Sequence, residues 1–446
     1  MHMPSHDTDP GSDDYLVSRP HAWFAFAMTF ALMLFDYIDR QVIVSLFPYL
    51  KAEWLLSDKQ LGGLVSIISV VVAVGSIPVA LVADRLSRVK SIVAMALVWS
   101  AATTSCMFAG SYAQLFTARA VVGAGETGYG SVGAALIASI FPRRLRSALL
   151  GAFFAAASLG SVLGVVLGGV IAARFGWKAA FGVVGIPGLL LALLYLLVRD
   201  YKTVELTPKL NQATQSASKL AAHITGTLLR TRTLLWACLG APMQLIVVAA
   251  IWSWLPSFLN RYHGEAPDVA AKHAALVVLC GAVGSVFWGA VVERAAAGRP
   301  KVRLQIMAAL CVLTLIIFAT AFGALPQGTQ QFKLILLGGF VMSCTVGPVT
   351  AVVFDVVHPG LRSTGGAVLS LFQNLLGLAV GPFIAGVMSD WWGLNTALTV
   401  IPCFSVLAAV CFLMAMRNYE SDINEVAHVK LQAAPAGAPA PERVPA

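Results

Sequence analysis

Twelve apolar stretches divide this chain, near residues 22–49, 59–83, 91–109, 112–139, 148–171 and 179–198, then 233–259, 271–292, 303–323, 331–354, 364–389 and 394–416. Each is close to the roughly 20 residues that a helix needs to cross about 30 Å of hydrocarbon. A backbone surrounded by lipid must hydrogen-bond to itself, so runs of this kind fold as helices. The composition agrees, with 58% hydrophobic and 11% charged residues and a mean hydropathy of +0.80, a balance that excludes a soluble globular domain. The expected fold class is an all-α membrane protein.

Six stretches lie on each side of one long hydrophilic interior segment, "RDYKTVELTPKLNQATQSASKLAAHITGTLLRTR". The expected organisation is an N-terminal tail at 1–20, a six-helix bundle at 21–198, a linker at 199–232, a second six-helix bundle at 233–417 and a Pro/Ala-rich, disordered tail at 418–446. The first tail is polar and acidic, without the basic end and short apolar core of a secretory signal. With both termini placed in the cytoplasm, the inner loops hold Arg85, Arg88, Lys90, Arg143, Arg144, Arg146, Arg294, Arg299, Lys301, Arg303 and Arg362, and the outer loops hold far fewer bases. That is the positive-inside bias, and it implies a multi-pass protein of the plasma (cytoplasmic) membrane. The same bias accounts for the net charge of +9 without nucleic acid, for which a basic face with interleaved aromatics is missing. The seven cysteines are scattered through the apolar stretches with no C-x-x-C pair and no neighbouring histidine, which reads as core packing. No metal and no cofactor is expected.

The two halves resemble each other. "ALVADRLSRVK" follows the second stretch and "GAVVERAAAGRPK" the eighth, so Asp84-Arg85 corresponds to Glu293-Arg294. "FPRRLRSALLG" before the fifth is echoed by "VHPGLRSTGGA" before the eleventh, so Arg146 corresponds to Arg362. The chain reads as a duplicated six-helix bundle. Asp84, Arg85, Arg88, Arg146, Glu293, Arg294 and Arg362 are either solvated positive-inside charge or a conformational latch that pairs in one state and breaks in another. Gly160, Gly164 and Gly168, and likewise Gly377 and Gly381 followed by Pro382, recur at four-residue spacing, which suits close helix packing or a gating hinge.

Charge within the membrane carries the functional signal. "LFDYIDRQ" places Asp36, Asp39 and Arg40 in the first stretch, at three- and four-residue spacings that make them neighbours on a helix. Facing lipid, they would cost roughly 8 to 10 kcal/mol together on insertion scales, so they must face protein or water. Glu126, in "ARAVVGAGETGYG", falls near the middle of the fourth stretch at the same depth, and Arg119 lies seven residues away on nearly the same face. This charged layer reads either as an ion-pair network that only locks helices together, or as a site where a carboxylate loads and unloads a proton while Arg40 holds an anionic or polar substrate group. The second reading assigns proton coupling to Asp36, Asp39 and Glu126, and substrate binding to Arg40, with Tyr37, Tyr129, Gln244, Gln373 and Asn374 as further cavity candidates. For the aromatics packing is an equal reading, and for Gln373 and Asn374 so is interhelical hydrogen bonding. Trp252 and Trp254, in "IWSWLPSFL", read as an interfacial belt or an outer gate.

Taken in order, "YIDR", "LSDKQLGGLVS", "ADRLSRVK", "ARAVVGAGETGYG", "GWKAAFGVVGIPGLLLALL" and "RSTGGAVLSLFQNLLGLAVGPFIAGVMSD" resemble a major facilitator superfamily transporter from about His21 to Arg417. Within it the resemblance is to the Spinster-like group, with the organic-anion symporters second. It implies two pseudo-symmetric six-helix bundles alternating access around a central cavity, with Asp39, Arg40 and Glu126 as the coupling site. The function expected is proton-coupled secondary transport, by a monomer, of a small organic anion or an amphipathic, lipid-like molecule. The alternative is a facilitative or antiport exporter without strict proton coupling. An enzyme is not expected, because H-E-x-x-H, a Ser/His/Asp order and clustered histidines are all missing; nor is a channel, because no ring of pore charges stands out.

Overall fold

The computed structural model describes residues 15–85, 87–198, 231–357 and 362–427, and every regular element among them is helical. The linker from 199 to 230 and the side chains of Asp84, Arg85 and Arg362 lie outside the described residues. Among the described residues, eleven helices, some of them bent, are long and apolar enough to cross a bilayer. A further crossing is made by two shorter helices, Tyr112–Glu126 and Tyr129–Ile140, which meet at Thr127 and Gly128. In chain order, span one is Arg19–Trp54, span two Asp58–Arg85, span three Arg88–Cys106, span four this broken pair, span five Arg143–Phe175 and span six Trp177–Leu197. Spans seven to twelve are Arg232–Tyr262, Pro267–Ala295, Pro300–Gly323, Thr329–Asp355, Gly365–Trp392 and Leu394–Asn424.

Most helix ends lie within a few residues of the ends of the apolar stretches. At the C terminus the helix Phe404–Ala427 runs past the boundary expected at 417. Tyr419 is fully buried with its hydroxyl bonded to Arg303 and Asp355, and Asp422 accepts a hydrogen bond of 2.9 Å from the Thr233 N–H, so these residues fasten the extra turns to spans seven, nine and ten.

Because consecutive spans run in opposite directions, connections alternate between a linker end, where span six leads to span seven, and a far end. Helices that are apolar on every side are positioned by shape more than by polarity. On span five, a Cβ added to Gly160, Gly164 or Gly168 would stand 2.5, 2.5 and 2.6 Å from the carbonyl oxygens of Leu34, Ile38 and Val42 of span one. On span eleven, a Cβ at Gly381 would stand 2.6 Å from the Ile246 carbonyl of span seven. The duplicated glycines thus give both halves the same close helix contact.

The apolar interior is divided among separate cores. One draws on both halves, with Ile43, Phe47 and Leu61 packed together with Ile251, Trp254 and Phe258. Another is built within the first half around Leu32, Trp99, Leu136 and Phe153, and a third within the second half around Leu234, Met307, Val352 and Phe412. The shared core occupies the far end, and the private cores occupy the linker end. Trp254 belongs to the shared core and not to an interfacial belt. It is fully buried, its ring lies 5.1 Å from Phe47, and its Nε1 donates to the Pro382 carbonyl at 3.0 Å.

Candidate functional site

Two irregularities meet at the charged layer. Span one leaves α-helical geometry after Val42 and tightens into a 3-10 turn at Ile43–Leu46. Span four breaks after Glu126, where Gly128 takes φ +84°, a left-handed conformation that glycine adopts without a Cβ penalty. Glu126 therefore ends a helix, and its side chain faces span one.

Arg40 Nε lies 2.9 Å from Glu126 Oε2 and 3.5 Å from Asp36 Oδ1, with its guanidinium 5.3 Å over the Tyr37 ring. Asp39 turns the other way. Its Oδ1 is 3.0 Å from Arg119 Nη1, and its Oδ2 accepts a short hydrogen bond from the Thr103 hydroxyl of span three. Arg119 also donates to the carbonyls of Asp39 and Arg40, at 3.1 and 3.4 Å. It thus grips the backbone of span one just before the 3-10 turn.

The layer has two parts with different chemistry. Asp39, Arg119 and Thr103 form a deeply buried, hydrogen-bonded brace. In the triad of Asp36, Arg40 and Glu126, both carboxylates are buried while the Arg40 side chain keeps 18% of its exposure. Among the described residues, neither oxygen of Glu126 accepts a hydrogen bond, and nor does Asp36 Oδ1. A buried charge is tolerated when it is paired and hydrogen-bonded, and Glu126 meets only the first condition. Across the layer three carboxylates face two guanidiniums, so the fully ionised set carries one net negative charge.

The remaining cavity candidates separate in the same way. Tyr37 is half-buried beside Arg40. Tyr129, expected in the cavity, is instead fully buried: its hydroxyl donates to the Thr29 carbonyl at 2.6 Å and its ring packs on Trp99 and Phe153. Gln244 is also fully buried, within the second half, and its Nε2 donates to the Met342 carbonyl at 2.9 Å and the Thr314 hydroxyl at 3.4 Å. In this structure both make their contacts within their own halves. Gln373 and Asn374 are half-buried at the start of a π-helical stretch, Gln373–Leu378, in span eleven. There the Asn374 carbonyl accepts from the Ala379 N–H, and its side-chain amide donates to the Ser370 carbonyl, both at 2.9 Å. Such π-turns occur frequently at functional sites.

The family model of the Major Facilitator Superfamily matches residues 29–379. The chain belongs to this superfamily. An MFS-type efflux pump of Mycolicibacterium smegmatis is 27% identical to it over 427 residues, covering 91% of this chain and 95% of that protein. Protein spinster homolog 3 of Danio rerio is 24% identical over 454 residues, covering 93% and 89%. The solved structure of a bacterial homologue of the human lysosomal transporter Spinster, inward-facing and unoccupied, matches with a TM-score of 0.81 at 22% identity, over 91% of this chain and 99% of that one. A gallate transporter of Pseudomonas putida and a hexuronate transporter of Bacillus subtilis are also similar. This member of the Major Facilitator Superfamily is therefore a Spinster-like, multi-pass membrane transporter with two pseudo-symmetric six-helix bundles, and not an enzyme.

At the linker end of this superfamily member, three of the residues singled out as a latch, Arg88, Arg146 and Glu293, make contacts within their own halves. Arg88 donates to the Ser139 hydroxyl at 2.7 Å and the Ala135 carbonyl at 3.4 Å. Arg146 Nε donates to the Phe141 carbonyl at 2.8 Å. Glu293 accepts from Arg303 at 2.7 Å, and Arg303 also binds Asp355 at 2.5 Å and the Tyr419 hydroxyl at 2.6 Å. Arg294 is exposed. None of these contacts crosses between the halves. Asp84, Arg85 and Arg362 lie outside the described side chains.

Proposed function

We propose that this transporter couples proton movement to the transport of a small organic solute, anionic or amphipathic, by alternating access. It works as a monomer in the cytoplasmic membrane, with both termini on the cytoplasmic side. The observation that carries the reading is the triad, in which one partly exposed guanidinium is shared by two buried carboxylates, and in which neither Glu126 oxygen nor Asp36 Oδ1 accepts a hydrogen bond among the described residues. One proton, on Glu126 or Asp36, brings the layer to neutrality. It also releases one edge of Arg40, a planar fork suited to a carboxylate or phosphate, toward a substrate's anionic group. Asp39, fixed by Arg119 and Thr103, holds span one at the height where Arg40 meets Glu126 and joins them in coupling. Tyr37 flanks the guanidinium, and Gln373 and Asn374 offer amides from the second half. Asp84, Arg85, Arg88, Arg146, Glu293, Arg294 and Arg362 are proposed to form the linker-end latch when that end closes.

The test uses purified protein in liposomes, after a thermal-shift screen of organic anions and lysolipids has found a ligand that stabilises the folded state. Saturable uptake that follows an imposed pH gradient supports the proposal. Saturable flux indifferent to the gradient favours the facilitative or antiport exporter, and flux that does not saturate sinks both.

A further inference from the structure

Asp58 opens the helix of span two at the far end and reaches into the opposite half. Its carboxylate accepts from both Nη atoms of Arg261 in span seven, at 2.6 and 2.8 Å, and from the Ser389 hydroxyl of span eleven at 2.5 Å. Lys51, from Asp58's own half, donates to Oδ1 at 2.6 Å. A carboxylate offers about four lone-pair sites, and these four donors fill them. The contact is also reciprocal. Asp390 of span eleven accepts from the N–H groups of Asp58 and Lys59, both at 2.8 Å. The N–H groups on either side, of Ser57 and Gln60, are satisfied reciprocally: the Ser57 N–H donates to Gln60 Oε1 at 3.0 Å and the Gln60 N–H to the Ser57 hydroxyl at 3.2 Å. A helix start leaves four N–H groups without an internal partner, and here two of the four are satisfied by the other half of the molecule. Gly62 lies against Pro382 and Gly386 against Asp58, so the backbones are in contact around the ion pairs.

If the far end opens, Arg261, Ser389 and Asp390 leave with the second half, while Lys51 stays beside Asp58. We infer that Asp58, Arg261, Ser389 and Asp390 form a clasp that holds the far ends of the two bundles together, and that Lys51 is the partner that lets the clasp release. In the closed state Lys51 shares a carboxylate that Arg261 already neutralises. In the open state it is the cation that remains beside Asp58. Its interaction is therefore worth more open than closed, and a ligand or side chain shifts an equilibrium only by such a difference. Removing Asp58 loosens the far end, whereas removing Lys51 tightens it. A purely structural role for these ion pairs would make both removals loosen it. This inference stands apart from proton coupling and from the identity of the substrate.

Hydrogen exchange of the full chain in lipid nanodiscs, read by mass spectrometry over residues 55–65 and 385–392, tests it. Asp58→Asn should raise exchange in both segments about tenfold, within the range typical of coupling between conformational states. Lys51→Gln should lower it severalfold relative to wild type. Arg261→Gln repeats the first expectation in case Asp58→Asn does not fold. Unchanged exchange in both Asp58→Asn and Arg261→Gln overturns the clasp, and unchanged or raised exchange in Lys51→Gln overturns the role of Lys51.

Discussion

Replacing Glu126 by glutamine keeps the side chain's size and removes one of the two carboxylates around Arg40. The layer then passes from one net negative charge to neutral, the condition assigned above to the protonated site. Arg40 loses a contact at 2.9 Å and keeps Asp36 at 3.5 Å. Stripping a buried charge of its partner typically costs about 3 to 5 kcal/mol. With a second carboxylate left in place and the guanidinium partly exposed, the expected cost is smaller, about 1 to 2 kcal/mol, and the protein stays folded. The functional consequence is larger. For electroneutral movement of one proton with one monoanion, a gradient of one pH unit corresponds to about 1.4 kcal/mol and an accumulation ratio of about tenfold. In proteoliposomes under that gradient, wild type should concentrate its substrate toward this ratio, and Glu126→Gln should stop at equal concentrations while still exchanging labelled for unlabelled substrate. A Glu126→Gln protein that still accumulates about tenfold would refute Glu126 as the coupling group.

Other expectations follow from the same geometry. Arg40→Lys should weaken binding of an anionic substrate at least about tenfold by calorimetry, because an ammonium cannot present the planar fork, while thermal unfolding changes little. Thr103→Val takes a donor from the buried Asp39 carboxylate and should lower stability by about 2 kcal/mol in denaturation, as expected for a hydrogen bond to a charged group. Tyr129→Phe removes the hydrogen bond to the Thr29 carbonyl and should cost about 1 kcal/mol of stability with substrate affinity unchanged; a large loss of affinity would return Tyr129 to the binding site.

The spans were legible because a bilayer imposes a length and a polarity that can be read one residue at a time. The charged layer was legible for the same reason, since Asp36, Asp39, Arg40, Arg119 and Glu126 are costly anywhere else at that depth. How those charges pair was not. Asp39 and Arg40 are adjacent in sequence yet serve different partners, and Thr103 sits in "AATTSC" with nothing to separate it from its neighbours. Tyr129 and Gln244 are cavity candidates because they lie on spans expected to line the pathway, and a helix apolar all round has no stripe that marks its lumen face. The contacts of Asp58 escaped notice because Arg261 and Ser389 lie 203 and 331 residues away along the chain.

The glycine stripe of span five touches the main chain of span one, and a main chain looks the same whatever side chains it carries. Tolerance to substitution should therefore be unequal on the two sides of the contact. Positions 160, 164 and 168 admit nothing larger than glycine without moving a carbonyl oxygen, whereas Leu34, Ile38 and Val42 can exchange for other apolar residues of similar volume. In a library of every single substitution, span five would show intolerant positions at intervals of four, with no equally intolerant positions facing them on span one. Comparison of many related sequences would show little paired variation at this contact, because one side has no side chain to change and the other meets it mainly with carbonyl oxygens and Cβ atoms, which nearly every residue shares.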